Sequence, residues 1–153
     1  MSPARWVASF FGSGLVPVAP GTAGSLAALL PGLALLWVSP AALLAGAVVV
    51  TGIGLWAVHA ARAGDDPGWV VIDEVAGQWI ALLALPHPSV LGAFAAFAAF
   101  AAFRLFDITK PGPVGWAERL PGALGVMADD VLAGALAALV VWGLRWAVPG
   151  LLD

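Results

Sequence analysis

Five carboxylates in this chain sit where carboxylates are rare. Asp73 and Glu74 are adjacent within an apolar run that reads WVVIDEVAGQWIALLAL from Trp69; Asp107 closes a second such run, and Asp129 and Asp130 stand side by side near the start of a third. Acids kept in apolar segments at this cost usually act on an ion, a proton or a substrate. Arg104, three residues before Asp107 on the same helix face, and Lys110, three after it, can neutralise part of the charge. A hard divalent cation is the other natural solution. Mg2+ takes oxygen ligands from one or two carboxylates, a substrate phosphate and water; it can polarise a phosphoryl oxygen and lower the pKa of a bound water. The plainer use of intramembrane acids, ion pairs that tie helices together, suits one such residue better than five.

The segment Gly21-Thr22-Ala23-Gly24-Ser25 offers backbone N–H groups and hydroxyls at a helix start, a usual place for an anion. It lacks the lysine of a P-loop, and capping by Thr22 or Ser25 would explain it equally well. Thr22, Gly24 and Ser25 are the candidate phosphate contacts there. Gln78, one turn after Glu74, can hydrogen-bond into the site or to a neighbouring helix. His59 reads as a packed or interfacial histidine, and His87, between two prolines, as a turn residue. Asp65 and Asp66 belong to a Gly/Pro connector where solvated aspartates are normal, although Asp66 could be an outer ligand.

The elements that must position these groups are membrane helices. The 153 residues are 62% apolar and 10% charged, with mean hydropathy +1.01, and nine acidic and six basic residues cannot clothe a water-soluble sphere of this size. The expected fold is therefore all-α, a multi-span integral membrane bundle of about five apolar helices plus a short N-terminal interfacial helix, forming one membrane-embedded domain over residues 1–153. Gly and Pro interrupt the N-terminal apolar stretch, which does not read as a removable signal peptide. The absence of cysteine excludes disulfides and thiolate chemistry, and a net charge of −3 without a basic run argues against nucleic acid as a partner. Trp6, Trp37, Trp69, Trp116 and Trp146 fall near predicted helix ends, as interfacial anchors do.

In chain order the pattern predicts a short interfacial helix over residues 5–11, then apolar helices over 25–38, 41–62, 70–85, 89–106 and 122–148. The first of these is only about 21 Å long against a hydrocarbon core of about 30 Å, so whether it fully spans is open. Phe94, Phe97, Phe100, Phe103 and Phe106 recur every third residue and must spiral around their helix, filling gaps or meeting lipid. Five helices joined by short turns alternate in direction. The Gly21 to Ser25 segment, the 64–68 connector and the 107–121 connector then share one face, and all five carboxylates gather there. Arg62, Arg104, Lys110 and Arg119 lie on that side and only Arg145 near the other, which directs the acidic face to the cytoplasm.

Four blocks carry a family resemblance: GSGLVPVAPGTAGS from Gly12, VIDEVAGQW from Val71, FRLFDITKP from Phe103 and GVMADDVLAG from Gly125. Occurring in this order over almost the whole chain, they make it resemble the phosphatidylglycerophosphatase A family of bacterial inner-membrane enzymes. The resemblance implies an Mg2+-dependent phosphomonoester hydrolase of phospholipid synthesis, releasing the terminal phosphate of phosphatidylglycerol phosphate amid membrane lipids. It places Thr22, Asp73, Glu74, Arg104, Asp107, Lys110, Asp129 and Asp130 in the functional set. On that reading Asp73, Glu74, Asp129 and Asp130 hold one or two Mg2+, while Arg104 and Lys110 balance the phosphate. Asp107 is a metal ligand, the base for an attacking water or, less favoured, a nucleophile forming an aspartyl phosphate. The connector from Gly112 to Leu120 departs from the family pattern in having Arg119 as its one basic residue. The rival function is a small transporter or channel component relaying protons or cations, which would want carboxylates near mid-membrane and on both faces. The oligomeric state is not set by the sequence.

Overall fold

A computed structural model of the protein describes residues 1–63, 67–86 and 92–152. Among these residues it is all helical. The elements are α1 (Pro3–Ala8), a 3-10 turn (Ser13–Leu15), α2 (Pro20–Val38), α3 (Pro40–Ala60), α4 (Ile72–Leu82), α5 (Gly92–Thr109), α6 (Pro113–Ala117) and α7 (Ala123–Ala147). Asp65, Asp66, His87 and the expected helix start at Ser89 lie outside the described residues.

Four helices, α2, α3, α5 and α7, are long and apolar enough to cross a membrane. Leu30, Val49, Phe97 and Leu139 are each more than half exposed on their outer faces, where apolar groups are stable against lipid. α2 is longer than the apolar run suggested. Pro20 occupies its first turn, where a missing N–H costs nothing, and Pro31 is accommodated inside it, so the 19 residues reach about 28 Å. Neither Thr22 nor Ser25 caps it, contrary to expectation: the N-cap is Ala19, with no side-chain cap, because the helix begins one turn earlier. The phenylalanines spiral as expected, with Phe94 and Phe97 exposed and Phe103 fully buried.

The fifth apolar helix is different in kind. The 70–85 run forms only 11 helical residues, about 17 Å, too short to cross a bilayer alone. It is central instead. Every residue from Ile72 to Gln78 is buried, and α2, α3, α5 and α7 all pack around it. Trp79 touches both apolar clusters of the core and donates its indole N–H to the Ala28 carbonyl at 2.9 Å, fixing α4 to α2. Near its other end Arg145 donates to the Ala84 carbonyl at 2.7 Å. The tightest crossing is α4 on α7: a Cβ on Gly134 would stand 2.2 Å from the Gly77 carbonyl oxygen, and one on Gly77 would stand 2.6 Å from that of Asp130. Only residues without a side chain allow two helix backbones this close.

The helices alternate in direction. Gly54, near the end of α3, meets Met127 and Ile72 near the starts of α7 and α4, while Gly21 at the start of α2 meets Arg104 near the end of α5. One end of the bundle therefore collects the starts of α2, α4 and α7 and the ends of α3 and α5.

Gly134→Val should wedge α4 from α7 and lower stability by about 1–3 kcal/mol, read as a fall in the thermal unfolding midpoint in detergent. Leu139→Ala on the outer face of α7 should change it by less than about 0.5 kcal/mol. Equal effects would contradict the close crossing.

Candidate active site

Each acidic side chain is delivered by a separate structural device. Asp73 and Glu74 lie in the first turn of α4, where carboxylates complement the helix dipole, and that turn is anchored by the Val71 N–H donating to the Ala8 carbonyl at 3.0 Å. Asp107 lies on the last turn of α5. Asp129 and Asp130 lie in the second turn of α7, next to the glycine crossing, so α7 presents them directly against α4. All five are at most 9% exposed.

Their oxygens form two overlapping groups. One takes an oxygen each from Asp73, Glu74 and Asp130, the other from Asp107, Asp129 and Asp130, with the atoms of each group within 4.8 Å of one another. Asp130 is common to both. Its Oδ2 and the Oε2 of Glu74 are buried with no hydrogen-bond partner among the described residues. An all-oxygen donor set with orphaned buried carboxylate atoms fits a hard divalent cation such as Mg2+.

Two cations offset part of the charge. Arg104 pairs with Asp107 Oδ2 and lies 3.9 Å from Glu74 Oε1; Lys110 pairs with Asp107 Oδ1 at 3.1 Å and with Asp129 Oδ2. Burial works against the ammonium of Lys110, but Asp129, Asp130 and Asp107 outweigh it and hold the group charged, above its ordinary range. Pro111 disfavours a right-handed helical conformation at Lys110, whose φ of 47° turns the chain out of α5. Five carboxylates thus face two cations.

The first turn of α2 meets this cluster through Gly21: a Cβ there would lie 2.3 Å from Glu74 Oε1 and 3.2 Å from the Arg104 guanidinium. Thr22 follows on the same turn and is partly buried. The other two expected phosphate contacts are turned elsewhere. Gly24 packs against Val71, and the buried Ser25 hydroxyl donates to the Gly21 carbonyl at 2.8 Å. Within the segment from Gly21 to Ser25 the sequence singles out Thr22, Gly24 and Ser25 and not Gly21, since nothing in a run of small residues marks which one abuts a carboxylate. Gln78 is fully buried one turn beyond Glu74, and its amide has no partner among the described residues. His59 is exposed at the end of α3. Beside Asp129 a cavity of about 400 Å3 opens between the connector that follows α6 and the first turns of α7, lined by Glu118, Arg119, Leu120 and Gly125. Among the described residues these five carboxylates therefore occupy one end of the bundle, next to a cavity, and not both ends as a relay across the membrane would require.

The profile of the phosphatidylglycerophosphatase A family matches residues 6–145. The phosphatidylglycerophosphatase A of Escherichia coli is 38% identical, with 95% of this chain and 86% of that protein covered; that of Haemophilus influenzae is 39% identical, with 95% and 91% covered. A Bacteroides thetaiotaomicron protein named putative phosphatidylinositol-3-phosphatase is 42% identical over 90% of this chain and 91% of its own length. No solved structure matches the chain.

Removing the lysine isolates this electrostatic arrangement from any chemistry. Lys110→Met removes the ammonium from Asp129 Oδ2 and Asp107 Oδ1, and should cost about 3 kcal/mol when unfolding is followed in detergent with a chelator present. An unchanged midpoint would contradict the pairing.

Proposed function

The chain belongs to the phosphatidylglycerophosphatase A family of phosphatases, and from that premise we propose that it hydrolyses the terminal phosphomonoester of phosphatidylglycerol phosphate, leaving phosphatidylglycerol and phosphate. The observation that carries the reading is Asp130, shared by two oxygen clusters at a bundle end where Arg104, Lys110 and the first turn of α2 converge. Asp73, Glu74 and Asp130 would hold one Mg2+, and Asp107, Asp129 and Asp130 would suit a second. A bound Mg2+ supplies Lewis acidity toward the phosphoryl oxygen and a more acidic water.

The protein's own groups do the rest. Arg104 and Lys110 offer fixed positive charge to the phosphoryl oxygens as the leaving bond lengthens, and the N–H groups of the first turn of α2 add a dipole of the same sign. Both oxygens of Asp107 are already engaged, Oδ2 by Arg104 and Oδ1 by Lys110, which disfavours it as a nucleophile and supports direct attack by water. In that step the water oxygen bonds to phosphorus, the bond from phosphorus to the glycerol oxygen breaks, and the water proton passes through a carboxylate to the leaving oxygen. Phosphatidylinositol 3-phosphate, suggested by the name of the Bacteroides relative, offers the same chemistry, a distal phosphomonoester on an anionic phospholipid. The family profile and two of the three relatives favour the glycerol headgroup.

Purified protein should release phosphate from phosphatidylglycerol phosphate with Mg2+ and lose that activity in a chelator. Arg104→Lys, which cannot keep a planar fork between Glu74, Asp107 and a phosphate, should lower kcat by about 100-fold. No release from this lipid, with release from phosphatidylinositol 3-phosphate, would reassign the substrate; release unaffected by chelation would remove the metal.

The site should face the cytoplasm, since Arg62, Arg104, Lys110 and Arg119 cluster at its end. The chain has no cysteine, so Arg62→Cys and Ser39→Cys each report one face cleanly. In intact cells an impermeant maleimide should label the second and spare the first; the opposite pattern would invert the topology.

A further inference from the structure

The bundle has a seam that none of the catalytic groups uses. Beyond the polar cavity at Asp129, Leu120 forms a shared wall with a second hollow of about 330 Å3, whose lining includes Thr51 and Leu55 of α3 and Leu124 and Met127 of α7. That lining exposes no polar surface. Thr51 and Val131 in turn belong to a third hollow of about 260 Å3, which continues past Val48 to Leu44. The two apolar hollows run end to end along the junction of α3 with α7, and the polar cavity adjoins them at Leu120. From Leu55 to Leu44 the path descends about 17 Å, from the carboxylate end toward the far end of the bundle. The Thr51 hydroxyl is turned onto the Ala47 carbonyl, to which it donates at 2.7 Å.

We propose that this α3–α7 seam seats an acyl chain of the phospholipid substrate, with Leu120 marking the step from headgroup cavity to hydrocarbon groove. The inference rests on the hydrolase reading above and adds where the lipid lies. A lipid whose distal phosphate is held by Arg104 and Lys110, beside Asp107 and Asp129, must send its tails from that end into the bilayer. The hollow adjoining Asp129 is polar at the mouth and wholly apolar beyond Leu120, the same order in which a phospholipid changes from headgroup to chain. Arg119, at the mouth, is placed to meet the internal phosphodiester that every such lipid carries. An ordinary boundary lipid would need no polar antechamber, and it would favour no one seam over the other outward faces.

Val48 is 65% exposed on the groove, so a larger residue there fills it without entering the core. Val48→Trp should lower kcat/KM for the dipalmitoyl substrate roughly tenfold while changing that for the dihexanoyl substrate less than about twofold, because six carbons end above Val48. Equal losses on both substrates, or no loss on either, would overturn the seam. If the unaltered protein hydrolysed neither, the hydrolase reading itself would have failed. A second measurement needs no substitution. A phospholipid substrate carrying a diazirine at mid-chain should crosslink to residues 44–55 and 124–132 and be displaced by unlabelled substrate. Adducts spread evenly over outer faces, including those at Leu30 and Leu139, would contradict it.

Discussion

Backbone contact between α4 and α7 is the constraint on which the rest of the structure depends. Gly77 and Gly134 let the two helices approach until side chains at neighbouring positions have no room to point elsewhere. Asp130, whose own carbonyl lies against Gly77, is thereby fixed beside Asp73 and Glu74. Burial then makes these charges costly, and the structure offsets the cost with Arg104, Lys110 and an oxygen-lined space that suits a divalent ion. Packing comes first, and the electrostatics follow from it.

A short central helix explains how such a site is held at a membrane surface. α4 is sheathed on all sides by longer helices, so its buried acids face protein and the water-accessible end of the bundle rather than lipid. The tie from Trp79 to α2 and the tie from Arg145 to the end of α4 hold it at a fixed depth. On the proposed function a phosphomonoester on a lipid headgroup would reach that depth without leaving the bilayer, and the cavity beside Asp129 offers room for it.

Much of this was legible in the residues. Adjacent acids in apolar runs, spaced by helices that must alternate, are enough to bring Asp73, Glu74, Asp107, Asp129 and Asp130 to one end. Other features were not. Hydropathy reads 70–85 as a span because a helix buried in protein and one buried in lipid are equally apolar; only the surrounding helices distinguish them. The choice of Gly21 over Gly24 as the neighbour of Glu74 depends on where α2 begins, and Pro20 starts it a turn earlier than its apolar pattern does. The pairing of Asp107 Oδ1 with Lys110, and of Lys110 with Asp129, depends on the left-handed turn at Lys110, which the following proline permits but does not dictate.

The proposed binding of a divalent ion by two clusters that share Asp130 is most directly tested by Mn2+ titration of the purified protein followed by electron paramagnetic resonance. Mn2+ should bind stoichiometrically with an all-oxygen spectrum. Asp130→Asn, removing the ligand common to both clusters, should weaken it more than either Asp73→Asn or Asp129→Asn. Mn2+ that stays fully hydrated beside the unaltered protein, or binding indifferent to Asp130, would contradict the shared site.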